Sequence, residues 1–229
     1  MEGFLPTMYA KEYFMLFSYL KTNKRRILLV LFAVIGMGFS LSFLIRTNLG
    51  GDPYTCMNLA ISDCLGISFG HWQALLNVVL LIIVVLCDRK LFGIGTLANM
   101  FLVGYCMDFF TWVEDFFLPE SFSSALVRGL IAVPALVVFV ISAALYMSCE
   151  LGTAPYDAAS FLLHKGITKA RVFAKLPFRA VRIPYDLIAC GICLLFGGSI
   201  GLVTLFISLF LGPVVDKTGE FLKRKGILD

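Results

Sequence analysis

Charge is scarce in this chain: only 15% of its 229 residues are Asp, Glu, Lys or Arg, while 59% are hydrophobic. A soluble domain of this length carries more charge and spaces its apolar residues in short periodic runs, and here they fall in long uninterrupted blocks. Histidine occurs twice, and neither His71 nor His164 has metal-ligand company, so no metal or cofactor is expected. The seven cysteines lie mostly in apolar segments without the spacing of a secreted disulfide framework; they read as reduced packing residues. Cys190-x-x-Cys193 lacks a second ligand pair, which sets aside zinc and redox chemistry. The net charge of +4 implies no nucleic-acid surface, because the basic residues follow membrane sidedness instead.

What is present is hydrocarbon. Ile27 to Ile45 is uncharged over 19 residues and Gly129 to Cys149 over 21, each enough to cross roughly 30 Å of bilayer core. The fold class expected is all-α: a polytopic membrane helix bundle with about six spans, at residues 27–46, 68–87, 91–113, 126–148, 176–196 and 199–215. The last two form one uncharged run, Leu187 to Val215, interrupted by Gly197-Gly198-Ser199, a natural reversal point. Orientation argues for six spans rather than five. With both termini cytoplasmic, seventeen of the nineteen basic residues fall inside, leaving Arg46 and Arg128 outside. The N-terminus has no small-residue cleavage site and is expected to stay attached. Residues 1–26 form a cytoplasmic segment in which Phe4 to Leu20 reads as an interfacial helix or a disordered tail.

The two halves echo each other. Leu49-Gly50-Gly51-Asp52-Pro53-Tyr54 is answered by Leu151-Gly152-Thr153-Ala154-Pro155-Tyr156, an offset of 102, and Gly93-Ile94-Gly95-Thr96-Leu97 by Gly201-Leu202-Val203-Thr204-Leu205, an offset of 108. The membrane repeats are residues 27–117 and 126–216, followed by a basic cytoplasmic tail, 217–229. Each repeat has three crossings, an odd number, so the second enters from the opposite face: a 3+3 inverted repeat. Each also holds a short segment opened by Pro53 or Pro155 and closed at Gly66 or Gly166. At 11 to 13 residues these are re-entrant half-helices or interfacial ones. If re-entrant, their N-terminal amides suit an anionic or polar cargo.

The candidate site lies in the fifth span. Asp186 falls near the midplane and Arg182 one turn away on the same face, a natural ion pair. Such residues at depth usually face a pathway, the alternative being a structural pair that pins helix register. Arg179 shares the span, Asn77 aligns with Tyr185 near the centre of both halves, and Asp157 follows Pro155. Asp108 and Asp216 occupy matched helix ends, as pathway mouths or plain solvated termini. Thr96 and Thr204 follow glycine-containing turns and suit close helix packing or cargo contact. Asp52 is expected to cap the first half-helix. Gly66-Ile67-Ser68-Phe69-Gly70 matches a nucleophile-elbow pattern, but no strand precedes it and no acid-histidine pair accompanies it, so no enzyme and no catalytic residue is expected.

The motifs Leu49-Gly50-Gly51-Asp52-Pro53, Gly93-Ile94-Gly95-Thr96 with Gly104 downstream, and Gly197-Gly198-Ser199-Ile200-Gly201 resemble the YczE/YyaS/YitT group of bacterial membrane proteins over roughly residues 27 to 216. The resemblance implies a multi-pass protein of the bacterial plasma membrane and supplies no binding residues. Val203 departs from it where a second Gly-x-Gly-Thr would stand, so a less close helix approach is expected there. The functional expectation is a small-solute transporter or channel with a polar midplane site between the repeats, in the lipid bilayer, acting on a small polar or anionic solute and capable of forming a homo-oligomer. The alternative is a non-transporting scaffold or accessory subunit.

Overall fold

The computed structural model describes residues 18, 20–119, 122–169 and 176–226. The segment expected to lie along the interface, Phe4 to Leu20, falls outside the described residues apart from Ser18 and Leu20. The chain runs through α1 (Lys24–Arg46), α2 (Pro53–Leu65), α3 (Phe69–Cys87), a 3-10 turn (Arg89–Leu91), α4 (Ile94–Glu114), α5 (Ala125–Ser148), α6 (Pro155–Lys169), α7 (Phe178–Leu195) and α8 (Leu202–Arg224). No strand occurs among the described residues. Five helices, α1, α3, α4, α5 and α8, are long and apolar enough to cross a membrane. The remaining long helix, α7, has 18 residues and carries Arg179, Arg182 and Asp186.

The starts and stops follow local chemistry. Asp52 accepts a hydrogen bond from the Thr55 amide at 3.1 Å, Pro53 takes the first helical position, and Gly66 closes α2 in the left-handed region at φ 66°. Ser68 caps α3 and its Oγ lies 2.5 Å from His71 Nδ1, so the serine of the elbow-like motif opens a helix. Gly197, at φ 78°, makes the reversal between α7 and α8. Two boundaries differ from expectation. The second short helix does not stop at Gly166 but continues to Lys169. Thr168 Oγ1 donates back to the His164 carbonyl at 2.9 Å, and Lys169 sits favourably in the last turn. Likewise α8 runs beyond 216 to Arg224, so much of the basic tail is helical.

The centre of the bundle is α1, packed along both α4 and α5. Val30, Val34, Leu41 and Leu44 meet Phe139, Ala143 and Ala144 in the main core. The outward faces of the long helices stay apolar: Phe32 is 71% exposed, Leu86 78% and Leu130 66%. A soluble monomer does not present such a belt, whereas a bilayer covers it. This is a membrane protein.

The short helices exchange partners between the halves: α2 packs on α7, and α6 on α3. The loops between them interlock through two matching hydrogen bonds. Gly95 N donates to the Leu151 carbonyl at 2.8 Å, and Val203 N to the Leu49 carbonyl at 2.9 Å. The looser approach expected at Val203 is therefore corrected. The close contact is made by the backbone amide and by Gly201, where a Cβ would lie 2.0 Å from the Leu49 carbonyl oxygen, against 2.1 Å for Gly93 and Leu151.

Ion pairs tie each end. At one end Arg46, 7% exposed, donates to Glu114 at 2.8 Å, to Asp115, and to the Pro119 carbonyl at 2.9 Å. At the other, Lys165 pairs with Asp88 at 2.7 Å and Lys223 with Glu150 at 3.0 Å, while Arg25 donates to the Gly226 carbonyl at 3.3 Å. The beginning of α1 and the end of α8 thus lie at the same end of the bundle. Lys165 holds the half-buried Asp88 carboxyl below the usual carboxylate range.

Candidate functional site

The two short helices point their first turns at each other. Tyr54 and Tyr156, which occupy the same place in the repeated Pro-Tyr motif, stack with ring centroids 4.3 Å apart and planes 26° from parallel. Each hydroxyl is then tethered to the second long helix of its own half. Tyr54 donates to Asn77 Oδ1 and Tyr156 to Asp186 Oδ1, both at 2.8 Å. The first turns of both short helices are buried, at Pro53, Tyr54, Thr55, Pro155 and Tyr156.

The expected Arg182 and Asp186 pair is present, with Nε to Oδ2 at 3.0 Å and the aspartate only 3% exposed. It is one part of a larger network. A second guanidinium nitrogen donates to Asp157 at 2.6 Å and to Ser160 Oγ at 3.3 Å. The guanidinium carbon stands 5.1 Å from the centre of the Tyr156 ring, and Tyr185 packs on the far side of that tyrosine, 4.6 Å between centroids. Arg182 therefore joins α7 to α6 through Asp157 and Ser160, pairs with Asp186 one turn along its own helix, and lies on an aromatic face. On the other half, Asn77 also donates to the Met100 carbonyl at 3.3 Å, linking α3 to α4.

These groups line a cavity of about 320 Å³ that runs from the tyrosine stack toward Phe178 and Arg179 at the start of α7 and Met147 at the end of α5. Of the expected site residues, Asp186, Arg182, Arg179, Asn77, Pro53 and Asp157 reach it. Tyr185 stands behind Tyr156, and Pro155 is fully buried at the head of α6. Thr96 and Thr204 do not line the cavity. A Cβ on Gly152 would lie 2.4 Å from Thr96 Oγ1, and one on Gly50 2.1 Å from Thr204 Oγ1, so both hydroxyls fill the loop crossings. Asp108 accepts from the Gly70 amide at 2.8 Å and so caps α3; the side chain of Asp216 is outside the described part.

Reading residues one at a time overlooked Tyr54 and Tyr156, Asp52 as a lining group, and Gln73, Asn99 and Tyr146. The tyrosines had a signal, since both copies of the repeat carry them. Gln73 stands out as an amide in an apolar helix, but Tyr146 carries no mark that separates it from an interfacial aromatic.

The halves are not packed alike around the cavity. In the first half Gly70 and Gly104 bring α3 and α4 into close contact: a Cβ on Gly104 would fall 2.9 Å from the Gly70 Cα. By the offset of 108 their counterparts are Phe178 and Gly212, where a Cβ on Gly212 meets nothing within 4 Å, and both line the cavity. A second cavity, of about 330 Å³, lies toward the opposite end beside Asn48, Cys56, Asp63 and Ser199. Between the two stands a buried cluster of Tyr54, Cys56, Ala60, Tyr156, Ala189 and Cys193.

A family model described as "Family of unknown function (DUF6198)" matches residues 24–219. The chain is 24% identical to the uncharacterized protein YyaS of Bacillus subtilis over 203 residues, covering 84% of this chain and 94% of that protein. It is 25% identical to an uncharacterized protein of Haemophilus influenzae over 192 residues, covering 84% of this chain and 82% of that one. No solved structure matches.

Proposed function

The chain belongs to the DUF6198 family of unknown function, and from the site in its own fold we propose that it is a small-solute transporter of a bacterial plasma membrane with both termini cytoplasmic. Its architecture is a 3+3 inverted repeat in which α7 is the sixth crossing, and α2 and α6 are re-entrant half-helices meeting at the bilayer midplane. The observation that carries this reading is the cavity of about 320 Å³ at the meeting point of the half-helices, where a mainly apolar lining holds Asp52, Asp157, Arg182 and Asp186, beside helices that are splayed at α7 and α8 and zipped at α3 and α4. Charged groups are costly inside a membrane and are retained where they line a pathway, and Arg182, Asp157 and Asp186 lie on this one. Alternating access follows from the duplicated parts: α8 closes on α7 at Gly212 as α4 opens from α3 at Gly104.

A cysteine pair tests this. In a variant lacking the native cysteines, Phe178→Cys with Gly212→Cys has no partner atom within 4 Å of position 212, and a disulfide places its Cβ atoms about 3.8 Å apart. Oxidation in membranes is expected to cross-link the pair by trapping the oppositely closed state, and to abolish labelling of a cysteine introduced at Asn99. A pair that stays reduced under every condition would identify a static bundle and overturn the transport reading. Sidedness has its own check: a phosphatase active only in the periplasm, fused after Asp229, is expected to remain inactive.

A further inference from the structure

The chemistry of the cavity narrows what it takes. Both half-helix N-termini, which by their dipoles would attract an anion, already carry a carboxylate of the chain itself. Asp52 caps α2, and Asp157 lies in the first turn of α6. Arg182 is likewise engaged, since Asp157 and Asp186 hold it at 2.6 and 3.0 Å. Arg179 is exposed at the mouth, where solvent screens it. With all three ionised, Asp52, Asp157 and Asp186 face one guanidinium and two helix N-termini of about half a charge each, an excess of about one negative charge.

A second observation is independent of that balance. Gln73 and Tyr146, each 3% exposed, line the cavity, and neither Gln73 Oε1 nor the Tyr146 hydroxyl has a hydrogen-bond partner among the described residues. A buried polar atom without a partner costs free energy that a bound donor recovers. Carboxylate and amide oxygens are acceptors, and Tyr54 and Phe139 add aromatic rings to the lining. The cavity also already holds one cation of this kind, the Arg182 guanidinium over the Tyr156 ring.

We infer that the solute is a small organic cation with N–H donors, of the primary ammonium or guanidinium class, bound in this cavity through Asp52 and the open acceptor of Gln73. The inference rests on the transport reading for its setting, but it concerns binding, which is measured separately. The probe is agmatine, which carries both groups; glutarate serves as the anionic and glycerol as the neutral comparison. With purified full-length protein in detergent, agmatine is expected to raise the melting temperature in a saturable way, and glutarate and glycerol to leave it unchanged. Asp52→Asn is expected to weaken agmatine binding by about tenfold. Gln73→Leu, which removes the unpaired acceptor without touching charge, weakens it severalfold, and Arg179→Gln tightens it.

Saturable binding of glutarate that is lost in Arg179→Gln would overturn the inference in favour of an anion site. So would the absence of an agmatine effect at millimolar concentration in a protein that unfolds cooperatively, or equal affinity in wild type and Asp52→Asn. Uptake into proteoliposomes separates the two readings. Binding without flux, together with a cysteine pair that never cross-links, removes transport and leaves the cation site standing, whereas cross-linking without agmatine binding removes only the solute class.

Discussion

Replacing Arg182 by methionine is expected to destabilise the protein by about 3 kcal/mol, the lower end of what breaking a buried ion pair costs. The lower end applies because Arg182 and Asp157 keep about a quarter of their side-chain surface, 23% and 24%. Asp186 keeps 4% and bears most of the loss: without the guanidinium it is a carboxylate with one remaining partner, the Tyr156 hydroxyl at 2.8 Å. Methionine retains the apolar stem against Tyr156, so the effect reports on charge rather than packing. Adding Asp157→Asn and Asp186→Asn to the methionine variant removes the stranded charges and is expected to recover more than half of the deficit. Denaturant unfolding in detergent, with the three proteins side by side, measures both numbers. A methionine variant as stable as the parent would mean that the two carboxylates are compensated by something other than Arg182.

Alanine at Gly93 or Gly201 is expected to cost about 3 kcal/mol at each position, the upper end for overpacking. Backbone conformation is not the reason, since φ is −162° and −118°, values that any residue adopts. Space is the reason. The new Cβ would stand 2.1 or 2.0 Å from the carbonyl oxygen of Leu151 or Leu49, and a backbone atom in a hydrogen-bonded loop cannot swing aside. Moving it breaks the bond to the Gly95 or Val203 amide, at 2.8 and 2.9 Å. The control is Gly129→Ala in α5, where a Cβ meets nothing within 4 Å; it is expected to be neutral or to stabilise by a few tenths of a kcal/mol. The similar size of the two losses, at positions related by the repeat, is a further expected result of the same measurement.

Local chemistry explains why so much could be read from residues alone. A helix in lipid is defined by an uncharged run of sufficient length, so the long helices α1, α3, α4 and α5 were legible to within a few residues, whereas α8 continues nine residues past the expected 215 into the charged tail. The cap at Asp52, the stop at Gly66 and the turn at Gly197 are local events, set by a side-chain oxygen or by a missing Cβ. The ion pair of Arg182 and Asp186 was legible for a related reason, because residues four apart on a helix share a face. Gly166 misled because glycine permits a stop without requiring one. Near it Thr168 and Lys169 supply the partners that carry the helix another turn.

The amino-acid sequence by itself therefore determined the solvent of this protein, the approximate extent of most of its described long helices, and one ion pair, because each depends on neighbours within a few residues. Only the tertiary structure decided that the two short helices meet tyrosine to tyrosine, that Arg182 also reaches Asp157, that Gln73 Oε1 and the Tyr146 hydroxyl stand without a partner among the described residues in the same cavity, and that α3 and α4 are zipped where α7 and α8 are splayed. Those outcomes depend on groups up to a hundred residues apart being brought together. A Gly70 and Gly104 contact in one copy, with Phe178 and Gly212 apart in the other, is a matter of packing that the chain can arrange in more than one way.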